Sequence, residues 1–217
     1  MARAPGLAGP RTCFAAVSFE VAPGEQVAVV GPRGAGKTEL ARAICLIDRP
    51  AGGRITFEGH DVTGAWGGHL RALRRGLQYV GGDARRSLSP RLSIEQVLAE
   101  PLLVHHLGSP AERRAKIEAA ADAWGLNRLF LGLRASALSS ALCQRVALAR
   151  SSLLQPRLLV VDEMVERLEP SAVRPLLALV AQLCRSAGMA WLWTTTDAAL
   201  AREVAERVLT LDGGRLA

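Results

Sequence analysis

A chain of 217 residues, 49% of them hydrophobic and with a mean hydropathy of +0.17, is long enough to bury a core as one large domain or two closely joined ones. Its net charge of +7 comes almost wholly from arginine, since lysine occurs only at Lys37 and Lys116. With 4% aromatic residues, no zinc-finger spacing and no RNA-binding aromatic motif, nucleic acid is not an expected partner. The basic balance reads as solvated surface, with a membrane-side location as the second explanation. No apolar run is long enough to span a bilayer, and the opening Met-Ala-Arg-Ala-Pro-Gly lacks the apolar segment of a secretion signal. Cys13, Cys45, Cys143 and Cys184 show neither paired nor metal-ligand spacing, which predicts reduced thiols in a cytosolic protein.

In chain order, Phe14 to Val21 alternates, with Val17, Phe19 and Val21 on one face, and predicts a strand. Pro23-Gly24-Glu25 is a turn, and Gln26 to Val30 reads as a buried strand. Next comes Gly31-Pro32-Arg33-Gly34-Ala35-Gly36-Lys37-Thr38, which leads into a helical pattern from Leu40 to about Cys45. Strand, glycine-rich turn and helix in that order make a phosphate-binding P-loop. Backbone N–H groups of the turn and the positive end of the helix both point at bound phosphate. Lys37 would reach the β- and γ-phosphates and the Thr38 hydroxyl would ligate Mg²⁺. The candidate nucleotide-contacting segment runs from Gly31 through Glu39.

A turn at Ala51-Gly52-Gly53 precedes a short strand, Arg54 to Phe57, then a basic helix carrying Arg71, Arg74 and Arg75, then a strand from Leu77 to Val80. Between Asp83 and Arg150 the pattern is helical only. Ser93 caps one helix, Pro110 opens a second that Gly125 stops, and Ser139 or Ser140 caps a third. Alternation then resumes with a strand at 158–162, a helix at 170–186, a strand at 189–195 and a helix at 197–206. Val208 to Leu211, Gly213-Gly214 and Arg215-Leu216 read as a terminal hairpin. The fold class is α/β: a mostly parallel sheet with helices on both faces, a small antiparallel part and an inserted helical subdomain. The division is 11–82 with 151–217 as core and 83–150 as helical subdomain.

Leu158-Leu-Val-Val-Asp162-Glu163 is an apolar strand ending in two acids. A carboxylate at that end of a strand beside a P-loop strand fits a Walker B element. Asp162 would hold Mg²⁺ together with Thr38, and Glu163 would orient or deprotonate the attacking water. The Asp-Glu pair disfavours a small-molecule kinase, whose acceptor is a bound hydroxyl.

These motifs give the chain a specific resemblance. It is similar to the ATPase subunit of ABC transporters, within the dipeptide, oligopeptide and nickel importer branch. The residues that carry this are Val17 to Val21 with Pro23-Gly24-Glu25, the stretch Asp83 to Leu102, Cys143 to Arg150, and Pro156 to Glu163. The resemblance implies a RecA-like P-loop NTPase core and a helical subdomain that docks on transmembrane permease subunits. It also implies a dimer with a second ABC ATPase subunit, identical or different. ATP would lie between one subunit's P-loop and the other's signature motif, where Ser139 would meet the γ-phosphate. ATP and Mg²⁺ are the implied ligands. The implied location is peripheral, on the cytoplasmic side of the inner or plasma membrane, with an extracytoplasmic solute-binding protein as an indirect partner.

The chain departs from that pattern at several positions. Gly82 stands where the Q-loop glutamine is expected; Gln78 is nearby but inside a strand. The signature Leu-Ser-Gly-Gly-Gln is Leu138-Ser139-Ser140-Ala141-Leu142. If those two glycine positions need positive φ, each side chain costs about 1–2 kcal/mol. Gln144 matches a later glutamine of the pattern. The D-loop reads Glu166-Arg167-Leu168-Glu169, and Thr196 replaces the switch histidine, so no positive charge faces the γ-phosphate there. The family's first strand and its adenine-stacking aromatic would precede Arg11, yet Met1 to Pro10 has no aromatic, and Phe14 reads rather as core. The chain ends at Ala217 without the extension many branch members carry. His60, His69, His105 and His106 read as solvated, and Trp191 and Trp193 as core packing on one sheet face.

Three functions are compatible with this pattern. The first is a transporter ATPase driving import of peptides, nickel or a metal chelate. The second is an ATP-binding structural subunit that hydrolyses little, paired with a better-equipped ATPase. The third is a soluble superfamily member outside transport. ATP binding with slow hydrolysis is the expected behaviour.

Overall fold

The computed structural model describes residues 17 to 216. The readings on Cys13, on Phe14 and on the segment from Met1 to Pro10 therefore lie outside the described residues. Strand β1 (Gln26–Val30) leads through the glycine turn into helix α1 (Lys37–Ile44). A two-residue hairpin, β2 (Thr56–Phe57) and β3 (His60–Asp61), precedes α2 (Gly67–Gly76) and β4 (Leu77–Gly81). Four helices follow: α3 (Ala84–Ser87), α4 (Ile94–Val104), α5 (Pro110–Ala123) and α6 (Ser140–Ser152). The chain then runs through β5 (Leu158–Asp162), α7 (Pro170–Ala187), β6 (Ala190–Thr195), α8 (Ala198–Val204), β7 (Arg207–Asp212) and β8 (Arg215–Leu216).

The main sheet has six strands in the order β4-β5-β6-β1-β7-β8. Every pair is parallel except β7 with β8, which form the terminal antiparallel hairpin. Gln26 to Val30 is buried throughout, as a central strand covered on both faces must be. Period-two alternation sorts its side chains: Ala28 and Val30 join one core cluster, while Val29 joins the other. The first cluster takes in Trp191 and Trp193 of β6, the inner faces of α7 and α8, and the helices inserted between β4 and β5. The second is covered by Leu40 and Ala41 of α1. Helices therefore lie on both faces. Trp191 and Trp193 are fully buried, with ring centroids 5.5 Å apart and planes 17° from parallel. The expectation that they pack in the core holds. Both indole N–H groups lack an acceptor.

The helical stretch begins and ends where its capping residues stand. Ser93 accepts the Gln96 N–H while Gln96 accepts the Ser93 N–H, and Ser109 and Glu112 form the same reciprocal box. Pro110 occupies the first turn of α5, and Gly125 follows its C-terminus with φ 63°. Ser139, rather than Ser140, caps α6 by accepting the Leu142 N–H at 3.3 Å.

The strand predicted from Phe14 does not form over its described residues. Val17 to Ala22 is assigned no strand, although Val17, Phe19 and Val21 pack against the α1-side core cluster. Alternation at these residues reports burial of one face, and burial does not require a paired neighbour. The short strand from Arg54 is likewise reduced to Thr56–Phe57, paired with His60–Asp61 across a tight turn.

Candidate nucleotide-binding site

The parallel strands of the main sheet bring their C-terminal ends to one edge, where loops in open α/β sheets build ligand sites. Register places Gly81 beside Asp162, Asp162 beside Thr194, and Val30 beside Thr195. The glycine turn after β1, the acids after β5 and the Thr194–Thr196 run thus meet at one place.

Helix α1 starts at Lys37 behind Gly36, whose φ of 98° is left-handed and favours glycine. No side chain caps this helix, so its first N–H groups face outward with the positive end of the dipole. Pro32, Arg33, Gly34 and Glu39 are exposed, Gly31 and Thr38 are half-buried, and Ala35, Gly36 and Lys37 are buried. The Lys37 ammonium donates to the carbonyls of Gly31 and Pro32, each at 3.0 Å, and lies 3.2 Å from Glu163 Oε1. Its side chain is 1% exposed. Three acceptors around three ammonium protons fix a charge that burial alone would make very costly.

Asp162 is buried and held from both sides. Thr194 Oγ1 donates to its Oδ1 at 2.6 Å, and the Tyr79 hydroxyl donates to its Oδ2 at 2.9 Å. Burial, then the charge of Asp162, pushes the Tyr79 hydroxyl well above its ordinary pKa, so it stays a donor. Thr194 Oγ1 also accepts the Glu163 N–H at 3.0 Å. Glu163 itself has φ 48°, a left-handed conformation uncommon for a residue with a side chain and of the kind found at functional sites. Its side chain is 37% exposed and reaches Lys37.

Tyr79 and Thr194 were not singled out from the sequence. The signal was there: the chain's one tyrosine and a threonine lie in mainly apolar strands, and a buried hydroxyl needs a partner. Only the folded sheet, which sets Thr194 opposite Asp162 and lets the Tyr79 hydroxyl reach it from two residues below, names Asp162 as that partner.

The divergent positions have definite surroundings. A Cβ on Gly82 would lie 2.5 Å from the Glu163 carbonyl oxygen and 3.1 Å from that of Asp162. The glycine is therefore required by a close backbone approach, and the space of a glutamine side chain is taken by the loop after β5. Gln78 donates to the Arg74 carbonyl at 2.5 Å, turned back onto α2. Ser140 and Ala141 form the first turn of α6 without positive φ, so the strain expected for replacing glycine is not realised. Ser139 engages its own helix and bonds to no P-loop residue of this chain. Arg85 of α3 donates to the carbonyls of Ala135, Ser136 and Leu138, tying the segment after Gly82 to the turn before Ser139. Thr196 is exposed, and its N–H donates to Glu166 Oε1 at 3.3 Å.

His105 is half-buried and His60, His69 and His106 are exposed. Among the described residues no group of three or more His, Cys, Asp or Glu is placed to hold a metal ion. Thr38 and Asp162 still suit magnesium, which is commonly bound by one or two protein oxygens plus substrate phosphates rather than by a protein cage. Asp162 retains acceptor capacity beyond its two hydroxyl donors. Cys45, Cys143 and Cys184 are free and buried. Among the described residues no helix is long and apolar enough to cross a membrane.

The chain is 38% identical over 199 residues to the di/tripeptide transport ATP-binding protein DppF of Pseudomonas aeruginosa (strain UCBPP-PA14), covering 92% of this chain and 62% of the relative. It is 31% identical over 196 residues to the oligopeptide transport ATP-binding protein OppF of Escherichia coli (strain K12), covering 90% of this chain and 59% of that one. The chain thus spans about three fifths of the length of the curated relatives it matches. The ATP-binding cassette MJ0796, solved as a dimer in a post-hydrolysis state with ADP and Pi, superposes with a TM-score of 0.83 at 24% identity, over 94% of this chain and 88% of that one, a likeness of fold. The family model for the ABC transporter matches residues 14–166, from before β1 to just past the Asp162-Glu163 pair, and the chain belongs to that family.

Proposed function

We propose that this chain is an ATP-binding subunit of an ABC transporter that imports peptides, and that it binds magnesium-ATP and hydrolyses it slowly. The observation that carries the reading is the buried Lys37 ammonium, held between the P-loop carbonyls and Glu163 at the uncapped start of α1. Such a charge, beside outward N–H groups, binds a polyphosphate. Gly31 to Glu39 wraps the phosphates, with Lys37 leaving Glu163 for the β- and γ-phosphates. Thr38 and Asp162 hold Mg²⁺, which when bound neutralises phosphate charge. Tyr79 and Thr194 keep the Asp162 carboxylate aimed. Glu163, freed from Lys37, orients the attacking water. Ser139 faces the triphosphate of a partner subunit across a dimer.

Slow turnover follows from what the rim lacks. Gly82 offers no side chain, and Thr196 carries no positive charge. Each stabilising contact of this kind is worth about 10²–10³-fold in rate. The same residues favour a second reading, in which the chain binds ATP as a structural member of a heterodimer. Permease subunits, a second ATPase subunit and, indirectly, a solute-binding protein are the partners of either reading, at the cytoplasmic face of the membrane. The relatives' functions in peptide transport support it, and in this reading the helical part, 83–150, faces the permease.

Phosphate release from the chain co-expressed with a permease and a partner ATPase tests the proposal. Glu163→Gln is expected to lower turnover by at least about 10²-fold while ATP binding persists. Unchanged turnover in Glu163→Gln would select the structural-subunit reading.

A further inference from the structure

Two carboxylates follow β5, and the first, Glu163, lies 3.2 Å from Lys37. Glu166 lies three residues on, in the short 3₁₀ turn Val165–Arg167. Glu166 Oε1 accepts the Thr196 N–H at 3.3 Å, joining the loop after β5 to the loop after β6. Glu166 Oε2 is buried and has no partner. Burial pushes the carboxyl above its ordinary value and the negative charge of Glu163 adds to this, while backbone hydrogen bonds and the charge of Lys37 pull the other way. The charges that face it are Lys37 at the head of α1 and Glu163 at the end of β5.

A terminal phosphate drawn to Lys37 enters the same field. An ionised carboxylate can only accept hydrogen bonds, and so can a fully ionised phosphate. The two repel, in a place where burial has already weakened water's screening. A diphosphate presents only its β-phosphate to Lys37 and lacks the added charge of the third group. Glu166 is therefore set chiefly against the added charge of the third phosphate.

We propose that Glu166 is a specificity-determining residue whose buried, unpartnered carboxylate oxygen disfavours the γ-phosphate, so that the site holds nucleoside diphosphate more tightly relative to triphosphate than a neutral side chain there would allow. This rests on the nucleotide reading given above. It also gives the D-loop departure a role separate from dimer contact: Glu166 biases the site toward the product state.

The test is calorimetric affinity of the full chain for Mg-ADP and for a non-hydrolysable Mg-ATP analogue, in wild type, Glu166→Gln and Glu166→Ser. Glu166→Gln is expected to tighten the triphosphate analogue by about tenfold and to leave ADP within about twofold, as removal of one like charge requires. The wild-type–variant difference is expected to close as pH falls and the wild-type carboxyl takes up its proton. Glu166→Ser, which loses both the charge and the bridge to Thr196, is expected to match Glu166→Gln. Equal shifts for the two nucleotides, or none, would overturn the role of Glu166. A shift with Glu166→Ser alone would assign the effect to the bridge and overturn it as well. Failure of folded wild type to bind either nucleotide would overturn the nucleotide reading and this inference with it.

Discussion

At the floor of the site the buried charges find their matches within the chain: Lys37 on two carbonyls and Glu163, Asp162 between Tyr79 and Thr194. At the rim the matches fail. Glu166 keeps one buried oxygen without a donor, and Gly82 contributes no side chain. The floor carries the Gly31–Thr38 turn and the Asp162-Glu163 pair, and the rim carries Gly82, Glu166 and Thr196. The floor thus holds the Lys37, Asp162 and Glu163 cluster closed on itself, while the rim leaves a buried oxygen and a bare glycine beside it.

Gly82→Gln gives the largest effect expected at this boundary. Restoring the family's residue should not restore function, because its Cβ would meet the Glu163 carbonyl oxygen at 2.5 Å. Overpacking against backbone costs up to about 3 kcal/mol, and the expected outcome is a lower melting temperature with no gain in phosphate release. A rise in turnover at unchanged stability would show that the loop after β5 yields, and would erase the distinction drawn between floor and rim.

Thr194→Val probes the floor and is expected to be smaller. It removes the donor to Asp162 Oδ1 and the acceptor of the Glu163 N–H in one step. Loss of about 1–2 kcal/mol in chemical denaturation is expected, with weaker magnesium dependence of nucleotide binding. Thr194→Ser, which keeps the hydroxyl, should stay near wild type.

The smallest effect is a pH dependence at the rim. Glu166 has its carboxyl raised in the folded chain, chiefly by burial, so the fold favours the protonated form. That contribution is fully present below the unfolded carboxyl's value and is lost as pH rises through the folded one. Glu166→Gln should therefore raise the melting temperature near neutral pH, and the gain should shrink on acidification. A gain that grows with acid would reverse the assigned direction.

Much of this was legible in the chain itself, for reasons that differ between elements. The glycine turn, the reciprocal caps at Ser93 and Ser109, and the apolar run into Asp162 are local, and local chemistry is written in consecutive residues. The hydroxyls of Tyr79 and Thr194 were not legible as a clamp, because strands β4, β5 and β6 are neighbours in space and far apart in order. Gly82 read as a deletion of function, and only the backbone of residues 162–163 shows it as a packing requirement. Ser140 and Ala141 read as strained replacements, yet α6 begins there in right-handed geometry. The alternation at Val17, Phe19 and Val21 reported one buried face, and no strand formed.

The most direct measurement is calorimetric titration of the folded chain with Mg-ATP, beside Lys37→Ala. Saturable binding that weakens by at least about 10²-fold in Lys37→Ala is expected, since a charge-assisted contact to phosphate is lost. No detectable affinity in the wild type, alone or with its partner subunit, would contradict the assignment of this site to a nucleoside triphosphate.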